Sequence, residues 1–146
     1  MKDEDWQEVI DVNLKGPFRV MAYAGERMAE SGGGSIINIS STASLHPSPN
    51  AAAYGAAKAG LNSLTQSFAH ALGPSVRVNC IVAGPFLTDI SKAWDLEAFE
   101  ASQEGFRAIP RGGDPKEIVG AALYFASPTS SFTTGTLVTV DGGGRG

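Results

Sequence analysis

The stretch "YGAAK", residues 54–58, places a phenol and an ammonium four positions apart among very small residues. On a helix, positions i and i+4 share a face, so Tyr54 and Lys58 are neighbours. A free phenol titrates at about pH 10. An ammonium beside a phenol favours the phenolate. A phenol tuned toward neutrality gives or takes a proton at a carbonyl or alcohol oxygen. A serine hydroxyl close by would hydrogen-bond the same oxygen. Gly55, Ala56, Ala57, Ala59 and Gly60 allow a backbone or a flat ligand to approach closely. The plainer alternative is an incidental surface pair, and the surrounding elements decide between the two.

Those elements are legible as alternating helices and strands. Residues 3–31 read as one helix, with Trp6, Val9, Ile10, Leu14, Phe18, Met21 and Met28 near helical spacing. Its acidic start suits a helix N-terminus. "SGGG" ends it, and "SIINISS", 35–41, alternates as a buried strand. A loop rich in Ser and Pro leads to a second helix over 52–72, which Gly73-Pro74 closes. "VRVNCIVAG" is a second strand, and residues 85–113 form a long irregular or partly helical excursion. "DPKE", 114–117, opens a third helix, with Asp114 as N-cap, Pro115 in the first turn and Glu117 completing the cap. That helix stops before Ser127-Pro128, and "TLVTVDGG" is the last strand. The order implies an α/β layered architecture with a parallel sheet. Parallel sheets take ligands beyond the carboxyl ends of their strands. Ser41, Tyr54, Lys58 and Gly84 are therefore expected to converge at one edge of the sheet.

Composition limits the function classes. The 146 residues suit one domain, and 42% hydrophobic with 18% charged residues suits a packed core. The net charge of −4, without a basic run, gives no footprint for nucleic acid. No apolar run approaches a membrane span. The acidic, amphipathic start does not resemble a secretory signal. The single cysteine, Cys80, excludes an internal disulfide and favours a reducing, cytoplasmic location. It is expected to be buried and inert. No cluster of metal ligands is predicted.

Taken in order, "VNLKG", "INISS", the Ser41–Tyr54 spacing, "YGAAKAGL", "RVNCIVAG…T" and "TGTLVTVDGG" resemble the short-chain dehydrogenase/reductase family. The resemblance spans essentially the whole chain. It implies a partial Rossmann-type, doubly wound fold over residues 1–146. It also implies hydride transfer between NAD or NADP and an alcohol or ketone. In that pattern Tyr54 is the acid/base. Lys58 favours its phenolate and holds the nicotinamide ribose, Ser41 orients the substrate oxygen, and Asn13 holds a water linking Lys58 to solvent. Pro17 has no N–H for the Asn13 carbonyl, which leaves that carbonyl free to accept from water. Gly84, Phe86 and Thr88 match the segment that meets the nicotinamide. Here Ala83-Gly84 stands where the family usually has Pro-Gly, and Ser44 stands where glycine is common.

Other residues are read more plainly. His46, between Ser41 and Tyr54, is expected in a solvated loop, the alternative being contact with substrate; His70 is expected in a structural place near a helix end, and Asp89 as a cap or surface group. Trp94, Leu96 and Phe99 are expected either to cover substrate or to pack in the core. The family's glycine-rich dinucleotide segment has no counterpart in the sequence. At about 30 residues per strand–helix unit, the resemblance implies that roughly three units of the family pattern are not represented. Two readings of different class follow: an oxidoreductase, or an inactive truncated remnant or assembly partner. Homo-oligomers through helices 3–31 and 52–72 are expected, with strand 35–41 left as an open edge.

Overall fold

The computed structural model describes residues 1–145. Helix α1 (Asp3–Ile10) runs through a π-helical turn (Asp11–Lys15) into α2 (Gly16–Glu30). Then come β1 (Gly34–Ser41), α3 (Ala52–Leu72), β2 (Val76–Ala83), α4 (Leu96–Gln103), α5 (Val119–Ala126) and β3 (Leu137–Val140). Short 3₁₀ turns lead into α3 and α5.

The predicted single helix over 3–31 is thus corrected to two α-helices joined by a wider turn. The Gly16 N–H reaches back five residues to the Asp11 carbonyl. Pro17 supplies the reason. It cannot donate to the carbonyl four residues before it, and its ring crowds that carbonyl, so the helix widens locally. Gly16 fits there because a Cβ would lie 3.2 Å from the Asp11 oxygen. At the other end of the chain, the last strand covers four residues rather than the whole "TLVTVDGG" run. Gly142 and Gly143 adopt positive φ and turn the chain away from the sheet.

The three strands are parallel in the order β1-β2-β3. Helices cover both faces. The Asn38 side chain on β1 donates to Met21 of α2 at 3.0 Å and to Thr65 of α3 at 2.9 Å. Ser35, on the opposite pleat of the same strand, donates to the Phe125 carbonyl of α5 at 2.7 Å. The core lies between α2, α3 and the sheet, around Met21, Leu61, Ala69, Val76 and Val78. Cys80 is fully buried in β2. That burial pushes its thiol up, in keeping with an inert residue.

The start of α5 forms as expected. Asp114 and Glu117 make a reciprocal capping box, and Pro115 opens the turn. Glu117 also takes two hydrogen bonds from Arg111, each 2.8 Å. Those bonds, with the Asp114 N–H, hold its carboxyl at about 2. No described helix is long and apolar enough to cross a membrane.

Candidate functional site

Strands β1 and β2 run parallel with Ser41 beside Ala83, so the chain leaves both at the same edge. The exit of β1 is pinned to α3. Ser40 Oγ donates to the Lys58 carbonyl at 3.2 Å, and Asn62 Nδ2 donates to Ser44 Oγ at 2.9 Å. Ser44 in turn donates to the Ser41 carbonyl at 2.6 Å, using a hydroxyl at a place where glycine has none. Gly55 allows the closest approach, since a Cβ there would lie 2.8 Å from the Ala43 oxygen. These contacts fix Ser41 relative to the first turns of α3, which carry Tyr54 and Lys58.

A cleft of about 690 Å³ opens at this edge. Ser41, Tyr54, Gly84, Phe86 and Thr88 all line it. Its walls are largely apolar: Ile39, Ile90, Trp94, Phe99, Phe106 and Ile118. Tyr54 is 36% exposed, and its ring faces the Lys58 ammonium at 5.6 Å. Ser41 Oγ accepts the Ala43 N–H at 3.2 Å, which leaves its own O–H to donate. A serine donor and a phenol therefore share one partly apolar space.

Lys58 stands beside the cleft, half-buried, and donates to the Ile39 carbonyl at 3.0 Å. One bond leaves two ammonium hydrogens for other acceptors. Burial pushes the ammonium below the ordinary lysine value. Asn13 lies on the π turn, and its neighbour Leu14 packs against Gly60 of α3. The Asn13 side chain donates to the Val9 carbonyl at 3.1 Å. The Asn13 amide is thus engaged within its own helix, and Asn13 is not among the residues lining the cleft.

The remaining expectations divide. Trp94 and Phe99 do line the cleft and stack at 5.0 Å, whereas Leu96 faces solvent. His46 is corrected: its ring is half-buried against Phe106, 6.4 Å between centroids, because the loop after β1 folds onto the excursion after β2. Asp89 is a surface group paired with Lys92 at 2.6 Å, and His70 is exposed near the end of α3. Gln103 and Arg107 also line the cleft, and no spacing in the sequence marks them. Among the described residues no group of metal-ligating side chains gathers.

Residues 1–144 match a family model described as Enoyl-(Acyl carrier protein) reductase. The chain is 37% identical over 146 residues to 3-oxoacyl-(acyl-carrier-protein) reductase FabG of Thermotoga maritima, covering 98% of this chain and 58% of that one. It is 35% identical to the human "Dehydrogenase/reductase SDR family member 4", covering 97% of this chain and 51% of the relative. A solved structure of 7 alpha-hydroxysteroid dehydrogenase complexed with NADH and 7-oxo glycochenodeoxycholic acid superposes with a TM-score of 0.92 at 32% identity. That match covers 99% of this chain and 57% of the other. The chain thus spans a little over half the length of these relatives. The phenol–lysine helix, the parallel sheet and the matches along almost the whole chain make it a member of the short-chain dehydrogenase/reductase family.

Proposed function

We propose that this chain carries the catalytic portion of an oxidoreductase that interconverts a small alcohol and its ketone with NAD or NADP. The observation that carries the reading is Ser41 and Tyr54 lining one cleft with the Lys58 ammonium behind the phenol. Tyr54 gives a proton to the substrate oxygen in reduction and takes it back in oxidation. Ser41 donates its free O–H to the same oxygen and orients it. Lys58 supports the phenolate by its charge and offers its unused hydrogens to a ribose. Asn13 supports Lys58 through water at the π turn, where Pro17 leaves a carbonyl free.

The residues present fit the nicotinamide end of such a cofactor. Gly84, Phe86 and Thr88 line the cleft and would meet the nicotinamide, and the Lys58 ammonium has hydrogens to give. A bound nicotinamide supplies or accepts the hydride. The anion-binding end is different. Among the described residues no glycine-rich turn joins a strand directly to a helix N-terminus, the arrangement that cradles a pyrophosphate. Cofactor affinity of the 146-residue chain is therefore expected to be very weak. Calorimetric titration with NADH and NADPH checks this, and micromolar binding would contradict it.

The test of the chemistry is Tyr54→Phe in a chain supplied with the remaining length of its relatives. Turnover is expected to fall by about 10³-fold or more, within the range for loss of a general acid/base. Full activity in the variant would remove Tyr54 from its role. The second reading, an assembly partner without turnover, draws on the unpaired side of β1. Tight cofactor binding together with Tyr54-dependent turnover would dismiss it.

A further inference from the structure

The outer wall of the cleft comes from residues 85–118, a stretch that adds no strand to the sheet. One buried knot ties it down. Arg107 Nη1 donates to the Asp141 carbonyl and, at 3.2 Å, to the Asp141 carboxylate. Arg107 Nε donates to Gln103 Oε1 at 2.7 Å. The Arg107 and Asp141 side chains are only 7% and 9% exposed. The carboxylate also accepts the N–H groups of Gly143 and Gly144, at 3.0 and 3.1 Å. Around this pair, backbone bonds join Ala108 to Gly143, Ile109 to Gly142 and Arg145 to Phe106.

The knot reaches the floor of the cleft as well. A Cβ on Gly84 would lie 2.6 Å from Asp141 Cβ and 3.4 Å from Arg107 Nη1. Floor, wall and the loop after β3 therefore meet at one ion pair. Arg107 is also the one charged side chain among the described residues lining the cleft. With its charge matched by a buried carboxylate, it presents no free cation to a ligand.

We propose that Arg107 is a positioning residue: paired with Asp141, it latches residues 96–107 to the loop after β3. Phe99 and Phe106 are thereby fixed as walls above Gly84, and the cleft takes an uncharged alcohol or ketone with an apolar body. The substrate clause rests on the function proposed above. The latch itself does not. Removing the guanidinium alone strands a buried carboxylate, whereas removing both charges does not. This separates a latch from a merely costly charge.

Hydrogen exchange by mass spectrometry on the purified chain is the experiment. In Arg107→Met, exchange across residues 96–107 is expected to quicken by about tenfold or more, while β2 stays protected. In Arg107→Met/Asp141→Asn, the thermal midpoint recovers toward wild type but the fast exchange over 96–107 persists. Slow exchange in the double variant would overturn the latch, and it remains the deciding variant if the single one unfolds. A second arm follows Trp94 fluorescence in a Trp6→Phe background, with 2-decanone and decanoate as probes. The ketone is expected to bind about tenfold or more tighter than the carboxylate. Equal or tighter binding of the carboxylate would overturn the substrate clause. Failure of the ketone to bind counts against the proposed function, and the exchange arm still decides the latch.

Discussion

Lys58, proposed above to serve the chemistry, sits where it does at the expense of stability. Its ammonium is half-buried, and desolvation is the leading cause of its lowered pKa. A lysine whose folded pKa lies below its unfolded one binds fewer protons in the native state. Stability therefore rises as pH climbs from the folded value toward the unfolded value of about 10.4. Lys58→Met removes that unfavourable charge and keeps the apolar stem. The carbonyl it leaves, that of Ile39, lies on the strand with an unpaired edge, within reach of water. The variant is expected to melt no lower than wild type at neutral pH, while under the function proposed above turnover collapses in a chain supplied with the remaining length of its relatives. Its advantage should shrink as pH rises through the alkaline range. Melting curves across pH for both proteins check this, and a gap that widens with pH would contradict the assignment of burial as the cause. At this scale the sequence was informative only where chemistry imposes a spacing. Tyr54 and Lys58 stand out because a helix turn separates them. Arg107 and Asp141 are 34 positions apart, and nothing local in either surrounding stretch announces the other.

Elements meet in this chain at glycines, and the cost of filling each one depends on what it faces. A Cβ on Gly84 would meet the Cα and Cβ of Asp141 at 2.7 and 2.6 Å. Backbone in the knot of the latch cannot step aside cheaply. A Cβ on Gly60 would meet a Leu14 methyl at 2.9 Å, and a leucine end can rotate away. Gly84→Ala is expected to cost about 1–3 kcal/mol, the usual range for overpacking, and Gly60→Ala clearly less. Denaturant unfolding of the two variants measures the contrast, and equal losses would show that the strand end is softer than its contacts imply. The elements themselves were readable because each carries its own punctuation. Gly73-Pro74 ends α3, and the Asp114–Glu117 box opens α5. The π turn was half readable. Pro17 announces a break in hydrogen bonding, but only the backbone geometry shows that the helix widens instead of ending. The contact of His46 with Phe106 was not readable, because it joins two loops whose relative placement is set by the sheet between them.

Across the whole molecule, α3 and α5 cover opposite faces of the sheet while the strands advance in one direction, from β1 through β2 to β3. The two crossovers therefore have opposite hands, against the strong preference for right-handed connections. Pattern reading supplies the alternation of elements but not this exception. One consequence concerns association. Along β1 the described residues offer backbone partners on one side only, and Ile39 is 48% exposed there. An eight-residue strand with an open, apolar edge invites pairing with another chain. Exposed Val20 and Tyr23 on α2 offer a competing, helical surface. Purified protein is expected to scatter light as a species heavier than the monomer, with mass rising over a concentration series. Ile39→Lys places a charge at the edge without disturbing the buried face of Asn38 and Ser40, so it should lower the mass if edge pairing dominates. Val20→Glu should lower it instead if the helices carry the contact. A monomer at every concentration would mean that neither surface is sticky enough to overcome the entropy of association.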